Sequence, residues 1–333
     1  MVERLLESST SWSNFFIFFG LAVLLLFAVL GFVTYGILAE RKVMGFMQGR
    51  VGPNQVGGRF GLLQTVADVL KLLLKEDSIP KAADKPLFIL APIIAFAPAF
   101  MVLAVIPFTS QFQFADIGVG LLYYIAISGI TTIGVLTGGW ASNNKYSLLG
   151  GMRAAAQMIS YEIPLVMSVI GIVLLTGSLN LNEIVASQEK VWYIFAQPIG
   201  FIIFLIAAVA ELNRTPFDLP EAESELVSGY HTEYSGFRWA FFMLAEYVYL
   251  FGMASLMTVL FLGGWNPVLF LDFIPGAVWF ALKFSAVVFL FIWFRVTFPR
   301  MRGDQLMEFG WKVLLPIALA NIFLTALIKE LFF

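Results

Sequence analysis

The chain has 333 residues, of which 60% are hydrophobic and only 13% charged, against about 25% charged in an ordinary soluble domain, so over most of its length its solvent is lipid. Twenty Lys and Arg against twenty-two Asp and Glu leave a formal charge of −2, which excludes a basic nucleic-acid footprint and an acidic disordered tail. With no cysteine, disulfides, cysteine-attached haem and protein-ligated iron–sulfur clusters are excluded, and the lone His231 argues against a His-rich metal centre or a Ser-His-Asp triad.

A hydrocarbon core about 30 Å thick needs about 20 apolar residues at 1.5 Å each. Eight stretches answer to this, at 14–39, 87–108, 117–139, 154–176, 193–213, 239–262, 273–294 and 311–331. The expected fold is therefore a single all-α integral membrane domain over 1–333. The first stretch is free of charge and lacks a basic leader and a cleavage pattern, which predicts an uncleaved span.

After it come Glu40, Arg41 and Lys42 and then Gly49, Gly52, Gly57, Gly58 and Gly61. No Gly-Lys-Ser/Thr ending follows these glycines, so a phosphate loop is not indicated. Over 60–75 the pattern becomes helical: Gln64, Asp68, Lys71 and Lys75 recur at spacings of 4, 3 and 4, opposite Leu63, Val66, Leu70, Leu73 and Leu74. That is an amphipathic interfacial helix, which either anchors the loop or turns its polar face to a pocket or partner.

The second and third spans are uncharged. The fourth holds Glu162, the fifth Glu211, the sixth Glu246 and the seventh only Lys283. Ionisable groups at membrane depth cost several kcal/mol or more and are candidates for function; their structural alternative is helix-to-helix pairing. Pro164 removes the partner of the Ser160 carbonyl one turn from Glu162. Between the fifth and sixth spans, an acidic loop over 212–237 carries Arg214 and then Asp218, Glu221, Glu223 and Glu225. It reads as an acidic mouth leading to the buried glutamates, whose neighbours titrate as a coupled set. The eighth span is short and needs Lys312 and Lys329 to reach outward from its ends.

If the N-terminus is outside, sixteen of the twenty basic residues fall in inner connections and three, Arg4, Lys190 and Lys329, outside. The expected topology places both termini outside the cytoplasm, with the amphipathic helix on the cytoplasmic side.

Long motifs then carry a resemblance. They are Glu40-Arg41-Lys42 with Gly52-Pro53-Asn54; Gly61 to Gln64, Ala67-Asp68 and Lys71-Leu72; Trp140 to Tyr146; Arg153-Ala154 and Ser160-Tyr161-Glu162; Glu211 to Leu219; Glu221 to Gly229; Glu233-Tyr234; Ala245-Glu246-Tyr247; and Pro299 to Leu306 with Trp311-Lys312. In this order and spacing, from about Ala39 to the C-terminus, the chain resembles the H-subunit family of proton-pumping NADH:quinone oxidoreductase, respiratory complex I. The resemblance implies a multi-pass subunit of a bacterial plasma membrane, at the joint between the hydrophilic and membrane arms, with neither redox centre nor metal of its own. Quinone would be the substrate, and FMN and iron–sulfur clusters would sit in partner subunits.

It further implies that Arg41, Asp68 and Lys71 line a quinone chamber completed by hydrophilic subunits. Asp218, Glu221, Glu223 and Glu225 would link that chamber to Glu211, Glu162 and Glu246, with Arg214 and Lys283 as charge partners. Where some bacterial relatives carry an acidic residue in the third span, this chain has Gly129. The alternative is the membrane anchor of a related energy-converting hydrogenase or of a quinone-reducing dehydrogenase with another donor. A stand-alone transporter would call for inverted repeats, and no matching halves are visible.

Overall fold

The computed structural model describes residues 12–58, 60–110, 112–219, 227–267 and 273–332. Their regular structure is helical, with one isolated bridge between Thr109 and Phe112. In chain order the helices are α1 (Trp12–Met47), α2 (Gln64–Leu74), α3 (Lys85–Met101, closed by a 3-10 turn Val102–Val105), α4 (Gly120–Ala141), α5 (Lys145–Thr176), α6 (Leu181–Ser187), α7 (Tyr193–Ala196), α8 (Pro198–Glu211), α9 (Gly236–Phe261) and α10 (Gly276–Thr297). Last come α11 (Gly303–Glu308), a π-helical segment Phe309–Leu314, and α12 (Leu315–Phe332). Seven of these are long and apolar enough to cross a membrane: α1, α3, α4, α5, α9, α10 and the run Gly303–Leu331.

The fifth expected span is where the observed lengths depart most. Instead of one helix over 193–213, α7 stops at Ala196 and α8 runs for 14 residues. Pro198 cannot continue a preceding helix and forces Gln197 out of helical geometry, to φ −133° and ψ 58°. At the other end Asn213 turns left-handed, at φ 51°. Two other helices outrun their apolar windows. α1 continues through Glu40, Arg41 and Lys42 to Met47, and α5 starts at Lys145, capped by Asn144 accepting from the Tyr146 N–H, and stops at the left-handed Gly177.

α9 is the central helix: Met253, Ala254, Leu256, Met257, Val259, Leu260 and Phe261 are wholly buried. α3 and α10 pack on it, α4 bridges α3 and α5, and α5 packs on α8 and α12. Small residues let these backbones approach. A Cβ on Gly134 of α4 would lie 2.6 Å from the backbone nitrogen of Ala95 on α3. Proline leaves carbonyls to satisfy: Pro92 frees that of Phe88, which instead accepts from the Tyr234 hydroxyl at 3.2 Å.

Alternation gathers the connections at two ends. At one end Asp84 N–H donates to Ala141, Asn143 to Ala82, Asn144 to Glu233, and Met301 N–H to Pro216, while Arg238 pairs with Asp77 at 3.0 Å. At the other, Leu121 N–H donates to Leu179 and Asn180 to Asp116.

Candidate functional site

Arg214 leaves α8 three residues after Glu211 and folds back into the bundle, its side chain only 1% exposed. Its NH1 donates to Glu40 Oε2 at 3.1 Å, and its NH2 lies 3.2 Å from Glu246 Oε1 on α9. The Tyr247 hydroxyl donates to the same Glu40 oxygen at 2.9 Å, and the Tyr247 ring lies under the guanidinium, 5.0 Å away. The second Glu40 oxygen accepts from Arg295 on α10. Helices α1, α9 and α10 and the turn after α8 are thereby joined by two carboxylates and two guanidiniums whose formal charges cancel. Burial disfavours the charged form of Arg214, and Glu40 and Glu246 more than reverse this, raising its pKa.

Next to this cluster, Glu211 is buried at the end of α8 and accepts on Oε1 from the Tyr249 hydroxyl. Its Oε2 has no hydrogen-bond partner among the described residues. Glu211 and Glu246 both line one cavity of about 50 Å³, with Thr131, Met158, Tyr230 and Tyr249 among its other walls. That volume admits ordered water, which needs roughly 10–15 Å³ and two or more polar partners. Glu162 is half-buried on α5, within Coulombic reach of Glu211. It faces α4 at Gly129, where a Cβ would meet Glu162 Oε1 at 3.0 Å. Its helix is pinned by Trp311 donating to Ser160 Oγ at 3.2 Å and Tyr161 donating to the Leu306 carbonyl at 2.9 Å.

The turn carrying Glu211, Arg214 and Asp218 is held by buried Gln157, whose amide nitrogen reaches the Ala210 and Phe217 carbonyls at 2.7 Å each and Asn213 Oδ1 at 3.1 Å. Asp218 pairs with Arg300 at 2.7 Å. Glu221, Glu223 and Glu225 lie outside the described residues. Arg41 and Asp68 meet across α1 and α2 at 2.6 Å, both part-exposed, and Lys71 is exposed on α2. Lys283 is not brought to the glutamates. Its amine donates to the carbonyls of Gly264 at 3.0 Å and Asn266 at 2.6 Å and sits 4.2 Å from the Trp192 ring, at the opposite end of the bundle.

Sequence reasoning passed over Glu40, Arg295, Tyr247, Tyr249 and Gln157. Glu40 and Arg295 each fall one residue beyond an expected span and so read as loop charges. A signal for Glu40 lay in the apolar Val43, Met44, Phe46 and Met47, which resume after Lys42 and continue the helix to Met47.

A family model described as NADH dehydrogenase matches residues 20–326. The chain is 92% identical over 333 residues to the NADH-quinone oxidoreductase H subunit of Bacillus mycoides (strain KBAB4), and equally to those of Bacillus cereus (strain B4264) and Bacillus thuringiensis (strain Al Hakam), each alignment covering 100% of both chains. An identity of this size over the full length, on an all-helical chain with seven candidate spans, means that the protein belongs to the NADH dehydrogenase family of NADH-quinone oxidoreductase H subunits.

Proposed function

We infer that this chain is the membrane subunit through which quinone reduction is coupled to proton movement. The observation that carries the reading is the cavity shared by Glu211 and Glu246, the second of which also pairs with Arg214. A carboxylate in a low-dielectric site holds a proton or a charge according to its neighbours. A change of charge at the quinone therefore shifts which of Glu162, Glu211 and Glu246 is protonated, with no redox group in this chain. Asp218, held by Arg300, and the loop glutamates Glu221, Glu223 and Glu225 form the acidic link toward the quinone. Arg41, Asp68 and Lys71 line the chamber between α1 and α2, which hydrophilic partner subunits complete. FMN and iron–sulfur clusters reside in those partners, and other membrane-arm subunits flank the bundle.

The same reading has eight crossings in one membrane domain, with α8 as the short one and both termini outside the cytoplasm. α2 lies in the interface: Leu63, Val66, Leu70, Leu73 and Leu74 are all exposed, a face suited to lipid, while Asp68 turns to α1. The test is Glu162→Gln, Glu246→Gln and the double variant in assembled complex reconstituted into vesicles. Loss of roughly a hundredfold or more in coupled turnover is expected, from the ~10²–10⁴ that a positioned proton-transfer group contributes. Wild-type rates in all three would make these carboxylates packing residues and refute the reading.

A further inference from the structure

We propose that Tyr249 is a positioning residue for Glu211, tying off one carboxylate oxygen so that the other is the one that exchanges protons across the cavity shared with Glu246. This rests on the coupling function proposed above. Tyr249 stands one turn beyond Glu246 on α9, so both side chains project from neighbouring positions of one helix toward the end of α8. The phenol donates to Glu211 Oε1, and both residues line the cavity. Glu211 Oε2 is buried and has no hydrogen-bond partner among the described residues. A buried acceptor in that state is costly and calls for a function or a solvent partner. Glu211 itself lines a cavity large enough for water.

Without the phenol the two oxygens become equivalent rotors, and a hydrogen bond that favours the charged carboxylate is lost. Proton exchange on Oε2 conserves atoms simply: a proton leaves Glu246 or a cavity water and arrives on Glu211 Oε2, while the Tyr249 proton stays on its own oxygen.

A second buried phenol supplies the control. Tyr124 on α4 is wholly buried, its hydroxyl has no hydrogen-bond partner among the described residues, and a Cβ on Gly252 would meet it at 3.2 Å. It packs against α9 one helical turn from Tyr249 and makes no hydrogen bond to Glu211.

The experiment uses the whole assembled complex in vesicles, with Tyr249→Phe, Tyr124→Phe, Glu211→Gln and the Glu211→Gln/Tyr249→Phe pair, each read for assembly, quinone reduction and coupled turnover from pH 5.5 to 9. Phe keeps the ring and its packing, so a purely structural ring leaves the pH profile in place. Tyr249→Phe is expected to assemble and to move the acidic limb of the coupled pH profile upward by about one unit, the size of one hydrogen bond to a charged group. Tyr124→Phe is expected to leave that limb in place, and the pair is expected to equal Glu211→Gln alone. An unmoved limb in Tyr249→Phe, an equal shift in Tyr124→Phe, or additive losses in the pair would each overturn the proposal. If Glu211→Gln itself kept wild-type coupled turnover, the coupling function would fail instead.

Discussion

At the scale of single residues, burial decides which charges stabilise and which act. The Arg41–Asp68 pair has side chains 43% and 27% exposed, so its contribution to stability is about 0–1 kcal/mol. Arg41→Ala, Asp68→Asn and Lys71→Ala are accordingly expected to leave assembly intact while changing quinone kinetics, and wild-type kinetics in all three would remove them from the chamber. Glu40 is the opposite case, 2% exposed and shared by Arg214, Arg295 and Tyr247. Glu40→Gln strips the counter-charge from a guanidinium buried among helices, which costs about 3–5 kcal/mol. The expected outcome is a complex that assembles poorly, read by native electrophoresis of membranes. His231 adds a pH dependence outside the spans: it is buried, Nδ1 has no partner among the described residues, and burial pushes its pKa down to about 4 from the ordinary 6.5. An opened segment takes up a proton below about pH 6.5 that the closed one refuses until about 4, so the closed state loses up to about 1.4 kcal/mol per pH unit across that window and is unaffected above it. Amide exchange over 227–236 should therefore rise between pH 7 and pH 5 beyond its chemical rate, and His231→Phe should abolish the excess.

At the scale of elements, apolar windows located the bundle and missed its joints. α3, α4, α9 and α10 sit where uncharged or singly charged runs put them, because lipid contact is written in hydropathy. The ends were hidden because a helix continues for as long as its hydrogen bonds and partners allow, and α1 gains partners for Glu40 from α9, α10 and the turn after α8 that no local window contains. Of the candidate site, the glutamates were legible as rare charges in apolar runs. Their partners Arg214, Tyr249 and Gln157 took their roles from chain segments about 40 to 170 residues away, which only folding brings together. The π-helical turn Phe309–Leu314 precedes Pro316, whose missing N–H leaves the local ladder free to widen. It also sets Trp311 against Ser160, next to Glu162. Close helix approach gives the sharpest element-scale prediction. Gly134→Val places a side chain 2.6 Å from the Ala95 backbone, which can move only by separating α3 from α4. The cost of such overpacking is typically 1–3 kcal/mol, occasionally more, and a lowered melting temperature of the purified complex is expected. Gly129→Ala meets only the end of the Glu162 side chain. It should melt as wild type while altering coupled turnover, a separation that one thermal scan and one vesicle assay can check.

At the scale of the whole molecule, the two ends of the bundle differ in how they carry charge. Basic residues fall sixteen to three on one side of the expected topology, and the same end of the bundle holds the Arg238–Asp77 and Arg300–Asp218 pairs and the exposed face of α2. The opposite end is tied by side-chain amides, one of them donating to the Asp116 carboxylate, with Lys283 satisfied by two carbonyls and the Trp192 ring. Under the proposed function, a positive-inside bias would place the charged end in the cytoplasm, on the side of the proposed quinone-site partners. The orientation is testable without background labelling, since the chain has no cysteine. Lys81 lies in the connection before α3 and Glu189 in the one after α6, both exposed, with α3, α4 and α5 crossing between them. Single cysteines at these two positions should react with a membrane-impermeant maleimide from opposite sides: Glu189→Cys in intact cells, Lys81→Cys only in inverted vesicles. Both reacting in intact cells would mean an even number of crossings between them, so that one of α3, α4 and α5 does not span. Reversal of the two would place the termini in the cytoplasm and refute the proposed orientation.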